Sequence, residues 1–244
     1  MATSIENAES LLQSVEAASN EVGLQLNEGK TKTLPLYFNP SEYVKTRNGT
    51  SLENVHQFKY LGSYIPDSFQ DFKSRKAQAW SACNKLCKIW KSDLERSLKI
   101  NIFRACVESI LLYGSDTWTI TKKMEARIDG CYTQLLRRVL NISWRYRIPN
   151  KVVYGKLPPI SLTIKQRRLR FAGHCARSSS QPISKLIFWT PTSGSLRRGR
   201  KPLNYPDTIC NDLGLEKTEI ANLMQDRELW AAHVASFIPS TDDR

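Results

Sequence analysis

The sequence predicts a mostly α-helical protein with a small α+β piece at its N-terminal end. Two observations carry this. Three consecutive stretches, 71–92, 97–118 and 122–141, repeat apolar residues at helical spacing. Before them, VHQFKYLGSYIP (55–66) crowds β-favouring aromatic and branched residues around one glycine, as a hairpin does. Three amphipathic helices joined by short links are expected to pack as a bundle.

Each element has its own signal. Residues 3–22 place Ile5, Ala8, Leu11, Leu12, Val15, Ala18 and Val22 at helical spacing, with Thr3 and Glu6 as a capping box and Gly23 as a stop. KTLPLYF (32–38) reads as a strand, with Pro35 favouring an edge, and Asn48-Gly49 as a tight hairpin turn. The first bundle helix carries a stripe of Phe72, Lys76, Ala79, Trp80, Cys83, Leu86, Cys87 and Trp90. The stripe of the second (97–118) runs from Leu98 to Trp118 and that of the third (122–141) from Met124 to Leu140. Pro149, Gly155, Pro158 and Pro159 make 141–159 irregular, SLTIKQRRLRFAGHCAR (161–177) reads as a basic helix, and 190–202 as a flexible loop. Short helices near 206–213 and 216–236 close the chain. The expected organisation is 1–66, 67–141 and 142–244.

Charge narrows the function. The 244 residues carry a formal net charge of +13, which points to an anionic partner: nucleic acid, an acidic membrane surface or an acidic protein. The surplus is local. Residues 121–202 hold 19 Lys and Arg against 2 Asp and Glu, whereas residues 203–244 hold 3 against 8. The cations cluster as Arg137 and Arg138, then Arg145, Arg147 and Lys151, then Lys165, Arg167, Arg168 and Arg170, then Arg197, Arg198, Arg200 and Lys201. Arginine forks match phosphate, and the interleaved Trp144 and Tyr146 suit stacking on unpaired bases. RRGRKP also suits a minor-groove hook or a nuclear-import run. The six cysteines, with no apolar leader or membrane-length run, fit free thiols in an intracellular (nuclear or cytoplasmic) setting. No catalytic set emerges around His56, His174 or His233. Cys83 and Cys87 lie on an apolar stripe, so core packing is preferred to zinc.

Five stretches, in order, carry a resemblance: GLQLNEGKTK, VHQFKYLGSYIP, LLYGSDTWTI (111–120), RLRFAGHCAR followed by LRRGRKP, and DRELWAAHV. Together they resemble the end of the palm, the thumb and the C-terminal region of reverse transcriptases from non-LTR retrotransposons, which also carry an endonuclease. The resemblance implies a primer-grip hairpin at Phe58, Lys59, Tyr60, Leu61 and Gly62, holding a growing DNA end, and places Lys30 near the incoming nucleotide. It implies template–primer RNA or DNA as partner. In that family two Mg²⁺ ions, held by palm aspartates that include an Ala-Asp-Asp core, perform the transfer. The sequence has no such run, and its one adjacent pair is Asp242-Asp243. The expectation is therefore a truncated, catalytically inert copy without a cofactor. The alternatives are a clipped reading of a full, active polymerase, and a structural remnant or basic protein-interaction module.

Overall fold

In a computed structural model, residues 2–35, 42–178, 187 and 204–236 are described. The chain divides into two compact units after Asp67.

The first unit is built on little burial. Helix α1 (Ile5–Glu21) starts one residue later than a Thr3 cap requires: Ser4 Oγ accepts from Asn7 N at 3.1 Å. None of its residues is buried, and Leu11 and Val15 are 46% and 57% exposed. The strand expected over KTLPLYF is shorter where it is described. Only β1 (Lys32–Thr33) pairs, in parallel with β2 (Glu53–Asn54), and residues 36–41 lie outside the described residues. Around Asn48-Gly49 the chain turns back, with Thr46 N donating to Thr50 O and Lys45 bridging Ser51. Next come β3 (Phe58–Tyr60) and β4 (Ser63–Ile65), antiparallel, with Phe58 opposite Ile65 and Tyr60 opposite Ser63. Leu61 and Gly62 connect them at φ 48° and 87°. Two successive positive φ values are those of a type I′ turn, whose twist matches the strands; glycine takes the second at no steric cost.

The second unit is helical, and its described residues form two apolar cores. Helix α2 (Ser68–Lys85) buries Phe72, Ala79 and Cys83, and the expected continuation to 92 breaks at Leu86 before α3 (Cys87–Lys91). Arg75, not Lys76, takes the buried place on α2, with its guanidinium 4.2 Å from the Tyr113 ring centroid. The second expected helix becomes α4 (Arg96–Phe103), a π turn (Arg104–Glu108) and α5 (Ser109–Leu111). It ends ahead of Gly114, at φ 71°, short of the predicted Trp118. The π turn places Glu108 inside, where it accepts from Tyr132 Oη at 2.8 Å. Burial and that carboxylate both push the Tyr132 phenol up, so it remains a donor.

Helix α6 (Lys122–Val139), capped by Thr121, lies at the centre of the first core. It buries Ile128, Leu135, Leu136 and Val139 completely, each worth ~1.5–3 kcal/mol. Helix α7 (Asn150–Tyr154) follows, its last carbonyls receiving Arg96, with Nη2 2.7 Å from Val153 O. Helix α8 (Ile160–Ala176) then passes through both cores. Ile160 and Ile164 belong to the first, Leu169, Ala172 and Cys175 to the second. Among the described residues, three short helices follow where two were expected: α9 (Tyr205–Leu213), α10 (Lys217–Gln225) and α11 (Arg227–Ala235). The break falls at Asp226, whose Oδ1 caps α11 by accepting from Glu228 N and Leu229 N. Among the described residues, no helix is long and apolar enough to cross a membrane.

Candidate nucleic-acid interface

The sequence-predicted cations divide into three sets. The first is engaged within the fold. Arg168 is 1% exposed; its Nε and Nη2 donate to Asp212 Oδ2 at 2.9 and 2.5 Å, and its Nη1 to Trp118 O at 2.8 Å. A side chain so placed joins three segments and presents no charge to a phosphate, which removes Arg168 from the expected binding set. Burial pushes the Asp212 carboxyl up, against the pull of Arg168 and Lys165. Lys165 lies 3.2 Å from Glu125 and 3.9 Å from Asp212. Arg137, half-buried, donates to Ile148 O at 2.5 Å and to Asn150 Oδ1 at 2.9 Å, tying the loop after α6 to the helix that precedes it.

The second set is exposed: Arg138 in the last turn of α6, Arg145 and Arg147 in the loop beyond it, Lys151 on α7, and Arg167 and Arg170 on α8. Arg167 and Arg170 are three apart on one helix, so they lie on one side of it. His174, also exposed and four residues further, continues that row. The third set, Arg197, Arg198, Arg200 and Lys201, lies outside the described residues, as does the whole of the 190–202 loop.

The acids of the same segment do not offset the exposed cations. Residues 121–202 contain only Glu125 and Asp129. Asp129 accepts from Ser161 N at 3.0 Å and Ser161 Oγ at 2.8 Å, and Glu125 pairs with Lys165. Both carboxylates are half-buried and turned to internal partners.

In the first unit, the hairpin at Phe58–Gly62 stands at the surface. Phe58, Tyr60 and Leu61 are 38%, 58% and 74% exposed, and Lys59 Nζ lies 5.8 Å from the Tyr64 ring centroid. Lys30 is exposed in a turn closed by Asn27, whose Oδ1 accepts from Lys30 N at 3.0 Å. Cys83, on the apolar stripe of α2, is fully buried in the first core, and burial raises its thiol.

No family model matches the chain, and no solved structure does. A curated Caenorhabditis elegans protein, described as an uncharacterised transposon-derived protein, is 27% identical over 245 residues; the match covers 92% of this chain and 88% of that one. The likeness supports a transposon origin for this chain.

Proposed function

We propose that this chain is a remnant of a non-LTR retrotransposon reverse transcriptase that binds nucleic acid through the exposed cations of its second unit. One observation carries the reading: in residues 121–202 the acids are engaged internally, while Arg138, Arg145, Arg147, Lys151, Arg167 and Arg170 face solvent. Positive charge that the acids of its own segment do not offset attracts phosphate backbones, and binding releases their counterions. The hairpin at Phe58–Gly62 and the turn at Lys30 take, by their resemblance, the roles of strand-end grip and nucleotide-proximal lysine. The chain carries no Ala-Asp-Asp run, so its assigned role is to hold a strand and not to extend it.

Anisotropy titrations of labelled RNA and DNA at several salt concentrations test this. With about six phosphates neutralised, log affinity falls against log salt with a slope of about −4 on single strands and about −5 on duplex. A slope near zero, or polyglutamate competing as well as polynucleotide, refutes it. Purified protein is expected to leave a primer unextended in Mg²⁺ and deoxynucleotides.

A further inference from the structure

We propose that the loop between α6 and α7 is a finger that stacks on unpaired bases, which gives the second unit a preference for single-stranded nucleic acid. This rests on the nucleic-acid reading above and names the form of strand recognised. Trp144 and Tyr146 are 78% and 73% exposed, side chains of a size that folding ordinarily draws inside. They alternate with Arg145 and Arg147, both exposed, in the order aromatic, cation, aromatic, cation.

The loop that presents them is anchored at both ends. Ile142 and Ile148 pack against the first core. Ile142 N donates to Arg137 O at 2.8 Å, and the Arg137 guanidinium holds Ile148 O and Asn150 Oδ1. Between these anchors Trp144–Tyr146 forms a single 3₁₀ turn. Ser143 Oγ accepts from Arg145 N at 3.3 Å, and Ser143 O and Trp144 O accept from Tyr146 N and Arg147 N at 3.2 and 3.1 Å. The two rings are thus carried on a closed turn whose ends are fixed in the core. A preordered platform loses little conformational entropy on binding. Flat aromatic faces between arginines match a splayed strand, in which every base offers a π face and every linkage a charge; a closed duplex offers the charge alone.

The test compares the full chain with Trp144→Ala/Tyr146→Ala and with Trp144→Phe/Tyr146→Phe, on a single-stranded RNA or DNA and on the matching duplex. Circular dichroism checks that each variant is folded. The alanine pair is expected to weaken single-strand binding about tenfold or more, to leave duplex binding within about twofold and to leave the salt slope unchanged, because aromatic rings release no counterions. The phenylalanine pair restores most of the loss. If the wild-type chain binds with a steep salt slope and the alanine pair binds single strands equally well, the finger proposal falls and the phosphate-binding reading stands. Equal losses on single strand and duplex also overturn the finger. A wild-type chain with no salt-dependent binding overturns both.

Discussion

Replacing Gly173 by alanine probes how α8 is locked into the second core. In an ordinary helix interior the change would stabilise by ~1 kcal/mol, because glycine is the poorer helix former. Here an added Cβ would sit 2.5 Å from Trp230 Cδ1 and 3.0 Å from Cε2, with Nε1 closer still. The ring cannot simply swing away. Trp230 is 2% exposed, and its Nε1 donates to Leu169 O at 2.9 Å, one turn earlier on the same helix. Overpacking costs about 1–3 kcal/mol, and a buried indole N–H separated from its acceptor costs about 1–3 kcal/mol more. Set against the propensity gain, the net loss is about 1–5 kcal/mol. Urea unfolding followed by far-ultraviolet circular dichroism measures it as a lower midpoint at similar slope. Trp230→Leu removes the obstruction, so Gly173→Ala in that background should cost markedly less than in the wild type. A Gly173→Ala midpoint equal to or above wild type would refute the packing argument.

Three further outcomes follow from burial and pairing. Arg168→Ala leaves Asp212 buried without its main partner and should cost about 3–5 kcal/mol in urea or thermal unfolding; Arg168→Met/Asp212→Leu, which removes both charges, should recover most of that. Because burial holds the Asp212 carboxyl above its ordinary value, its contribution to stability is full below the unfolded carboxylate pKa and is lost as pH rises through the raised folded one. The difference in unfolding free energy between wild type and Asp212→Asn, followed from about pH 3 to 7, should show that slope. In the first unit, the absence of any buried residue on α1 predicts faster amide hydrogen exchange over Ile5–Glu21 than over α6. Equal protection in the two helices would contradict it.

Periodicity in the sequence located the helices, because each bundle helix buries one continuous stripe, Met124 to Val139 on α6 being the clearest. It did not locate their interruptions. A break at Leu86, a π turn at Arg104–Glu108 and a shared cap at Asp226 each keep the apolar spacing nearly intact while redirecting the backbone, so the pattern reads through them. On α8 the misreading of Arg168 has a different cause. KQRRLR looks like a run of solvated cations, but Ser161, Ile164, Arg168, Ala172 and Cys175 are all buried and follow one helical row. The spacing therefore held the information, and residue type concealed it. A guanidinium is accepted at such a position only where a carboxylate and a carbonyl both meet it, and Asp212 lies 44 residues further along the chain.

The stretches that carry the family resemblance in the second unit converge on one another. Trp118 and Asp116, from LLYGSDTWTI, offer carbonyls to Arg168 and to Tyr205 Oη, at 2.8 and 3.1 Å. Trp118 Nε1 reaches back to the buried Asp71 at 2.9 Å. Leu169 and Gly173, from RLRFAGHCAR, receive the indole of Trp230, from DRELWAAHV. Each of these contacts needs one particular side chain: an indole whose N–H meets a single acceptor, a fork of defined span, or a residue with no side chain at all. Exposed cations face no such demand, since a phosphate is met by any arginine or lysine near the right place. The residues at the Arg168 and Trp230 junctions hold the helices of this unit together, whereas the cations of the proposed interface sit at Arg138, Arg145, Arg147, Lys151, Arg167 and Arg170, where each demands little of its neighbours. That difference sets the expected mutational pattern: losing one contact at the Arg168 or Trp230 junction lowers stability by about 1–5 kcal/mol, while losing one exposed cation lowers the salt slope by about one unit and leaves the fold intact.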